Sequence, residues 1–279
     1  MGRSDGVKVK DLPNYRKIMP FFMRTKHESL IYYALDIPAE SSIDFASRIS
    51  EEYGMRVTPF HLVLHSLFKT HMAYPDLNRF VKGGILWQRK GIWFSFSIKK
   101  EFNTKSSISI VKREFKPDFT LKDTVQAATK GTREGRDKNK KDQAEKESGL
   151  YTWIPAWIKK SLYPVYKFMD EYDLFSASYT RKDPLYATLF IANVGAFDAE
   201  TGYHHLYELG TIPMFIVLGK VRKKPWVEGE KVVPRYTIPL KVTADERVVD
   251  GFYYYRALDY FRDQLLEPEK LLEAPKLVE

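Results

Sequence analysis

Apolar and polar positions along the chain change period several times, and each change marks an element. Residues 42–54 repeat apolar positions at helical spacing, with serine at the start and Gly54 suited to the position after a helix end. A second helix is predicted over 58–73, with Thr58 as its N-cap and Pro59 in the first turn. Stretches 31–37, 91–99 and 106–112 are rich in β-branched and aromatic residues and read as strands. So do 186–194, 214–218 and 236–242, two of them nearly continuous in apolar character and therefore expected to be buried. Residues 252–266 close the pattern as a helix, with Phe252, Tyr255, Leu258, Phe261 and Leu265 on one face.

Two segments have another texture. Across 130–147 basic and acidic residues alternate, and Ala144 is the only apolar residue after Thr132, which predicts a solvated loop or an exposed, fraying helix. Residues 150–172 carry Ile154, Trp157, Ile158, Leu162, Val165, Phe168 and Met169 at helical spacing, while Pro155 and Pro164 predict a short helix pair or a kinked helix. Such a stripe could lie on a membrane surface. Packing on its own domain or on a neighbouring subunit is the expectation preferred here.

Composition narrows the class. A hydrophobic fraction of 44% with 29% charged residues is that of a globular protein, and 279 residues allow one large domain or two small ones. The absence of cysteine excludes disulfides, thiolate metal sites and a cysteine nucleophile. Residues 1–10 lack the apolar stretch of a signal peptide, and no apolar run is long enough to span a bilayer, so a cytoplasmic location is expected. The net charge of +9 invites nucleic-acid binding, but no recognisable nucleic-acid motif accompanies it, and none is expected to bind. An anionic substrate would benefit from the same field. No repeat and no glycine-rich phosphate loop is present. His61 and His65 share a helical face but lack the glutamate of a zinc-protease motif, so no metal is expected.

One phrase carries chemistry. The run Ala244-Asp245-Glu246-Arg247-Val248-Val249-Asp250-Gly251 resembles the Asp-His-Arg-Val-Val-Asp-Gly signature of 2-oxoacid dehydrogenase acyltransferases, with Glu246 where the histidine stands. Four further phrases are similar to that family, in its order. They are Arg16-Lys17-Ile18 with Met23, the helix from Val57-Thr58-Pro59-Phe60 to Tyr74-Pro75-Asp76-Leu77-Asn78, the strand and turn Phe190-Ile191-Ala192-Asn193-Val194-Gly195, and the ending Leu266 to Leu272. Together they cover most of 14–115 and 185–272.

The resemblance implies an α/β fold, the chloramphenicol-acetyltransferase-like two-layer sandwich with a mixed sheet, assembled as a homotrimer. It divides the chain into a polar N-terminal tail (1–13), one acyltransferase-like domain (14–272) with a divergent helical insertion at 116–184, and a C-terminal tail (273–279). It implies CoA-dependent acyl transfer, coenzyme A thioester as donor, and components of a 2-oxoacid dehydrogenase as partners, with no lipoyl group of its own. In the family a histidine takes the acceptor's proton and a serine or threonine hydroxyl stabilises the oxyanion, the two facing each other across a subunit boundary. Those groups correspond to Glu246 and to Ala192, followed by Asn193, so catalytic competence is expected to be impaired. Glu246 could serve as the base, or stand as a polar residue at a strand end paired with Arg247 or another basic neighbour. One of the adjacent His204 and His205 could replace the base; the alternative is an interface or surface pair hydrogen-bonded to backbone. Asp250, Gly251 and Arg16 match the family's structural positions, which implies a largely buried Arg16–Asp250 ion pair. The rival reading is a non-catalytic trimeric scaffold or regulatory subunit.

Overall fold

The computed structural model describes residues 2–104, 106–137 and 152–278. Its frame is a mixed sheet formed by β2 (Leu30–Pro38), β5 (Ile92–Lys99), β6 (Ile108–Phe115), β7 (Leu189–Asn193), β8 (Met214–Leu218), β9 (Arg222–Glu228) and β10 (Lys231–Asp245). The strand order is β2-β10-β8-β7-β5-β6, and β9 pairs with the outer half of β10. Strand β7 runs parallel to both β5 and β8; every other pairing is antiparallel. Helices α1 (Asn14–Phe22), α2 (Glu40–Tyr53), α3 (Pro59–Ala73) and α4 (Leu121–Arg136) precede α5 (Ala156–Glu171), α6 (Ala177–Lys182) and α7 (Gly251–Leu266). A small sheet, β1 (Gly6–Lys8), β4 (Ile85–Arg89) and β3 (Arg79–Lys82), lies to the side.

Alternation along the strands assigns the two faces of the large sheet. Ile37, Leu240, Val242, Ile216, Ile191 and Phe94 join residues of α2, α3, α4 and α7 in the main core. Helix α3 is buried nearly all round and sits at the centre, with Leu62, Val63, Leu64 and Phe68 fully buried. The opposite face carries Phe190, Phe215 and Val217 in a smaller cluster, covered by Leu206 and Ile212. This is the two-layer α/β arrangement with a mixed sheet that the resemblance implied.

Boundaries differ from expectation for local reasons. Helix α2 starts at Glu40, because the Ser42 hydroxyl donates to the carbonyl of Leu265 at 2.6 Å and so packs against α7 instead of capping. Strand β10 is longer than its apolar stretch, since its first half forms a two-stranded ribbon with β9 beyond the main sheet. Helix α4 is ordered and buries Leu121, Val125 and Ala128, so the basic stretch from Lys130 to Arg136 is its last part; 138–147 lie outside the described residues. Residues 156–171 form one helix with Pro164 on its exposed side, where a carbonyl left without its N–H partner can bond water.

That helix, α5, does not pack its stripe on its own domain: its only buried residue is Asp170. The N-terminal stretch is no free tail either. Strand β1 pairs with β4, and the buried Arg3 guanidinium lies over Phe80 and Trp87 while bonding Asp5 and the carbonyl of Asp170. Beyond residue 272, Val278 donates its N–H to the Ala73 carbonyl at 3.0 Å.

Candidate active site

Glu246 occupies the turn between β10 and α7, and contacts from Ser29 and Arg16, far away in sequence, and from nearby Tyr254 shape that turn. Its N–H donates to the Ser29 carbonyl at 2.9 Å, and its own carbonyl accepts from Arg16 Nη1 at 3.0 Å. Arg16 also reaches Asp250, Nη2 to Oδ2, at 3.6 Å. The buried Tyr254 hydroxyl donates to the Asp245 carbonyl at 3.0 Å. Asp250 caps α7 by accepting the Tyr253 N–H at 2.8 Å. The Glu246 side chain is left half-buried. Tyr33 stands close by: burial first, then the Glu246 and Asp250 carboxylates, raise its hydroxyl above the usual tyrosine range.

Two expectations are corrected here. Arg247 pairs with its neighbour Asp245, Nη2 to Oδ2 at 2.7 Å and Nε to Oδ1 at 2.8 Å, with the Ser29 hydroxyl also on that carboxylate. The geometry favours this because Asp245 and Arg247 both turn inward, while Glu246 between them faces out. The Arg16–Asp250 pair forms, but it is buried only on the arginine side; the Asp250 side chain is 52% exposed. As a helix cap at the sheet's end, Asp250 sits where water reaches it.

Ala192 belongs to a different part of the sheet. It stands opposite Ser97 on β5 and Val217 on β8, and Val217 in turn stands opposite Lys241 on β10. Ala192 is thus two strands from β10 and in register with a position five residues before Glu246. At about 3.4 Å per residue and about 4.8 Å per strand, that separation is roughly 20 Å. Asn193, opposite Leu218, falls on the other face of the sheet from Ala192. One chain does not bring the Glu246 and Ala192 positions together.

The histidine pair lies nearer Glu246. His204 stacks on Phe215 with ring centres 3.9 Å apart, His205 stacks on His204 at 4.7 Å, and His27 continues the column at 5.7 Å. Nδ1 of His204 is 2.7 Å from the His205 carbonyl, and Nδ1 of His205 is 3.0 Å from the Leu206 carbonyl. His27 Nδ1 is 2.5 Å from a Glu208 carboxylate oxygen. Burial pushes Glu208 up, but the bonds from the His27 ring and from the backbone N–H groups of His27 and Lys26 outweigh it and lower its pKa. His27 and Glu208 escaped the sequence reading because their pairing joins distant segments, and no spacing rule connects them. His65, on the helical face it shares with His61, is buried, and burial drives its pKa down to about 4. Among the described residues no group of three or more histidines and acids could hold a metal ion.

Residues 176–273 match the profile of the 2-oxoacid dehydrogenases acyltransferase catalytic domain, a span that contains β7, β8, β10 and the whole Glu246 loop. The chain resembles the acyltransferase cores of 2-oxoacid dehydrogenases. A curated relative, the dihydrolipoyllysine-residue acetyltransferase component of the pyruvate dehydrogenase complex from Acholeplasma laidlawii, is 36% identical over 55 residues. That match spans 20% of this chain and only 10% of the relative.

Likeness of fold extends over the entire chain. A probable dihydrolipoamide acetyltransferase from Listeria monocytogenes superposes with a TM-score of 0.60 at 13% identity, covering 98% of this chain and 99% of that one. The Azotobacter vinelandii dihydrolipoamide acetyltransferase gives 0.61 at 15% identity over 95% of both chains. A serine, a histidine and an asparagine have been studied for their role in that enzyme's catalytic mechanism. A chloramphenicol acetyltransferase superposes with a TM-score of 0.53 at 13% identity, over 96% of this chain and all of the other.

Proposed function

We propose that this protein transfers an acyl group from a CoA thioester to a nucleophilic acceptor, slowly, at a site shared between copies of the chain, with Glu246 as its proton acceptor. The observation that carries this reading is the bracing of the Glu246 turn. Arg16 holds both the Glu246 carbonyl and the Asp250 carboxylate, so a loop shaped to present a side chain persists with a carboxylate presented. The roughly 20 Å between Glu246 and Ala192 along one sheet favours a site completed by a neighbouring copy, and a homotrimer is the closed assembly proposed. Components of a 2-oxoacid dehydrogenase are the partners this reading suggests.

In the proposed reaction the acceptor gives its proton to the Glu246 carboxylate as its lone pair attacks the thioester carbon. The carbonyl electrons move to oxygen, then return as the C–S bond breaks. Protonated Glu246 returns its proton to the leaving thiolate. The basic net charge of the chain suits the phosphates of the donor. The alanine at 192 offers no hydroxyl to the oxyanion, a loss of roughly 10²–10³ in rate. Carboxylates are ordinarily about two pKa units less basic than imidazole, and loss of an effective base costs about 10²–10⁴.

A second reading, a non-catalytic trimeric scaffold, is favoured by the histidine column, whose inner Nδ1 atoms lie against backbone carbonyls instead of converging on a substrate. One set of assays separates the two: acetyl transfer from acetyl-CoA to a panel of thiols and amines. Slow wild-type transfer abolished by Glu246→Gln, with a gain in Ala192→Ser/Glu246→His, is the expected result. No transfer in any of the three supports the scaffold. Rapid wild-type transfer unaffected by Glu246→Gln overturns the assignment of Glu246. A monomeric mass by light scattering at micromolar concentration overturns the shared site.

A further inference from the structure

Helix α5 presents its apolar stripe outward. Trp157 is 71% exposed, and Leu162, Val165, Phe168 and Tyr172 extend the same side toward the helix end, with Trp153 (75% exposed) just before the helix begins. The side toward the body carries Asp170, fully buried against Lys82, and Tyr166, whose hydroxyl is 2.6 Å from that of Tyr179. This inverts the usual orientation of a surface helix, whose apolar face is the one turned to the core.

The patch is continued by a second element. Phe21 and Phe22, at the end of α1, are 65% and 77% exposed. The turn Gly83-Gly84 lies between the two helices. A Cβ on Gly83 would meet the Glu171 carbonyl at 3.5 Å, and one on Gly84 would meet the Phe21 ring at 3.4 Å. Both glycines have positive φ, 59° and 69°, so the tight turn that brings the helix ends together favours glycine twice over. Two segments far apart in sequence thus expose one apolar surface, larger in character than scattered single residues would make.

Among the described residues, charge around this surface is one-sided. Lys159 and Lys160 are exposed and Lys167 is half-buried, and none of them forms an ion pair among the described residues. The nearby acids are turned away: Asp170 and Glu171 onto Lys82, and Asp173 onto Arg3 and the N–H of Ser4. A rim of lysines with tryptophan and tyrosine beside an exposed aliphatic and aromatic face is the composition that suits the boundary between anionic headgroups and acyl chains. No described helix is long and apolar enough to cross a membrane. A helix of this kind lies flat, its apolar side sunk about 5–10 Å into the boundary.

We infer that α5, with the end of α1, docks the protein on a membrane surface that contains anionic lipid. This is independent of the acyl-transfer reading, and activity is not needed to test it. Full-length protein is sedimented with vesicles of phosphatidylcholine alone and of phosphatidylcholine mixed with phosphatidylglycerol, at low and high salt. Binding to the mixed vesicles, weakened by salt, is expected. Trp157→Glu/Phe168→Glu should lower the bound fraction at least about tenfold, and Lys159→Glu/Lys160→Glu by roughly tenfold or more on the anionic vesicles. These side chains are exposed, and circular dichroism checks that the variants stay folded; the salt titration of the wild type needs no variant. Absence of binding to either vesicle overturns the inference, as does binding that both variant pairs leave intact. If Trp157→Glu/Phe168→Glu instead lowers the oligomeric mass while vesicles bind nothing, a second copy of the chain covers this face.

Discussion

Helices α5 and α7 are each sixteen residues long and each carries a clear apolar stripe, yet they stand in opposite relations to the core. Helix α7 buries Tyr254, Ala257, Leu258, Phe261 and Leu265, with the Ser42 and Ser66 hydroxyls donating to its carbonyls at Leu265 and Phe261. Helix α5 buries one carboxylate, Asp170, which accepts from Lys82 Nζ and the Tyr186 hydroxyl at 2.5 Å and from the Gly210 N–H at 2.9 Å. One helix is held along its length by apolar burial. The other is held at its last turn by a polar hub. A stripe of period 3.6 predicts that a helix has a side, but what that side meets is decided by the rest of the chain.

The sharpest way to break this contrast is Asp170→Ala. It removes the nearer carboxylate from the buried Lys82 ammonium, leaving Glu171 at 3.3 Å, and takes partners from Tyr186 and Gly210, so a loss of about 3 kcal/mol is expected in urea unfolding. A near-neutral result would mean that α5 is held by something other than its last turn. Phe261→Ala in α7 should lower stability by a similar amount, about 3–5 kcal/mol. Phe168→Ala in α5, whose ring is 56% exposed, should stay within about 0.5 kcal/mol of wild type. Comparable losses at the two phenylalanines would show that the α5 stripe is covered in solution.

Two variants sharpen the view of the loop that leads into α7. Asp250→Ala removes a cap and an ion pair that water reaches from the aspartate side, so about 1–2 kcal/mol is expected. Asp245→Ala leaves the buried Arg247 without its carboxylate and should cost about 3–5 kcal/mol. Equal melting temperatures for these two variants would contradict the assignment of Asp245, not Asp250, as the buried acid of the turn. The last test concerns Lys26, which feels Asp170 on one side and Asp245 on the other and donates to the Tyr207 and Gly210 carbonyls. Burial lowers its pKa to about 7 from 10.5. Between those values the unfolded chain binds the extra proton, so stability should rise with pH from 7 toward 10.5, by about 1.4 kcal/mol per unit at most. Lys26→Met should flatten that rise.

Elements whose identity is local were legible in the sequence. Strand β8 runs from Met214 to Leu218 as expected, because both of its faces are covered and its apolar run is uninterrupted. Thr58 and Pro59 start α3 as expected, since the signal is a backbone need met within one turn. Less was legible wherever partners lie far apart. The ribbon half of β10 carries no apolar run to announce it, because only β9 pairs with it. The His27–Glu208 contact and the inward turn of Asp170 depend on which segments become neighbours. At the candidate site the phrase around Glu246 correctly located the turn and its tie to Arg16. The exposure of Asp250 and the pairing of Arg247 with Asp245 were decided by how the turn twists at the end of β10, which residue types alone do not specify.

Strand β2 lies at an edge of the large sheet, and the strand it pairs with is β10, so Ile37 stands opposite Ile238. The first long strand to be synthesised therefore waits for the last before it can pair. Until then its N–H and C=O groups and its apolar side remain open, a condition in which partly made chains associate wrongly. Contacts of such long sequence separation also slow folding, because the loop must close before the pairing rewards it. The pairing of β2 thus depends on β10: the same strand that delivers Glu246 to its turn is the one that completes the sheet.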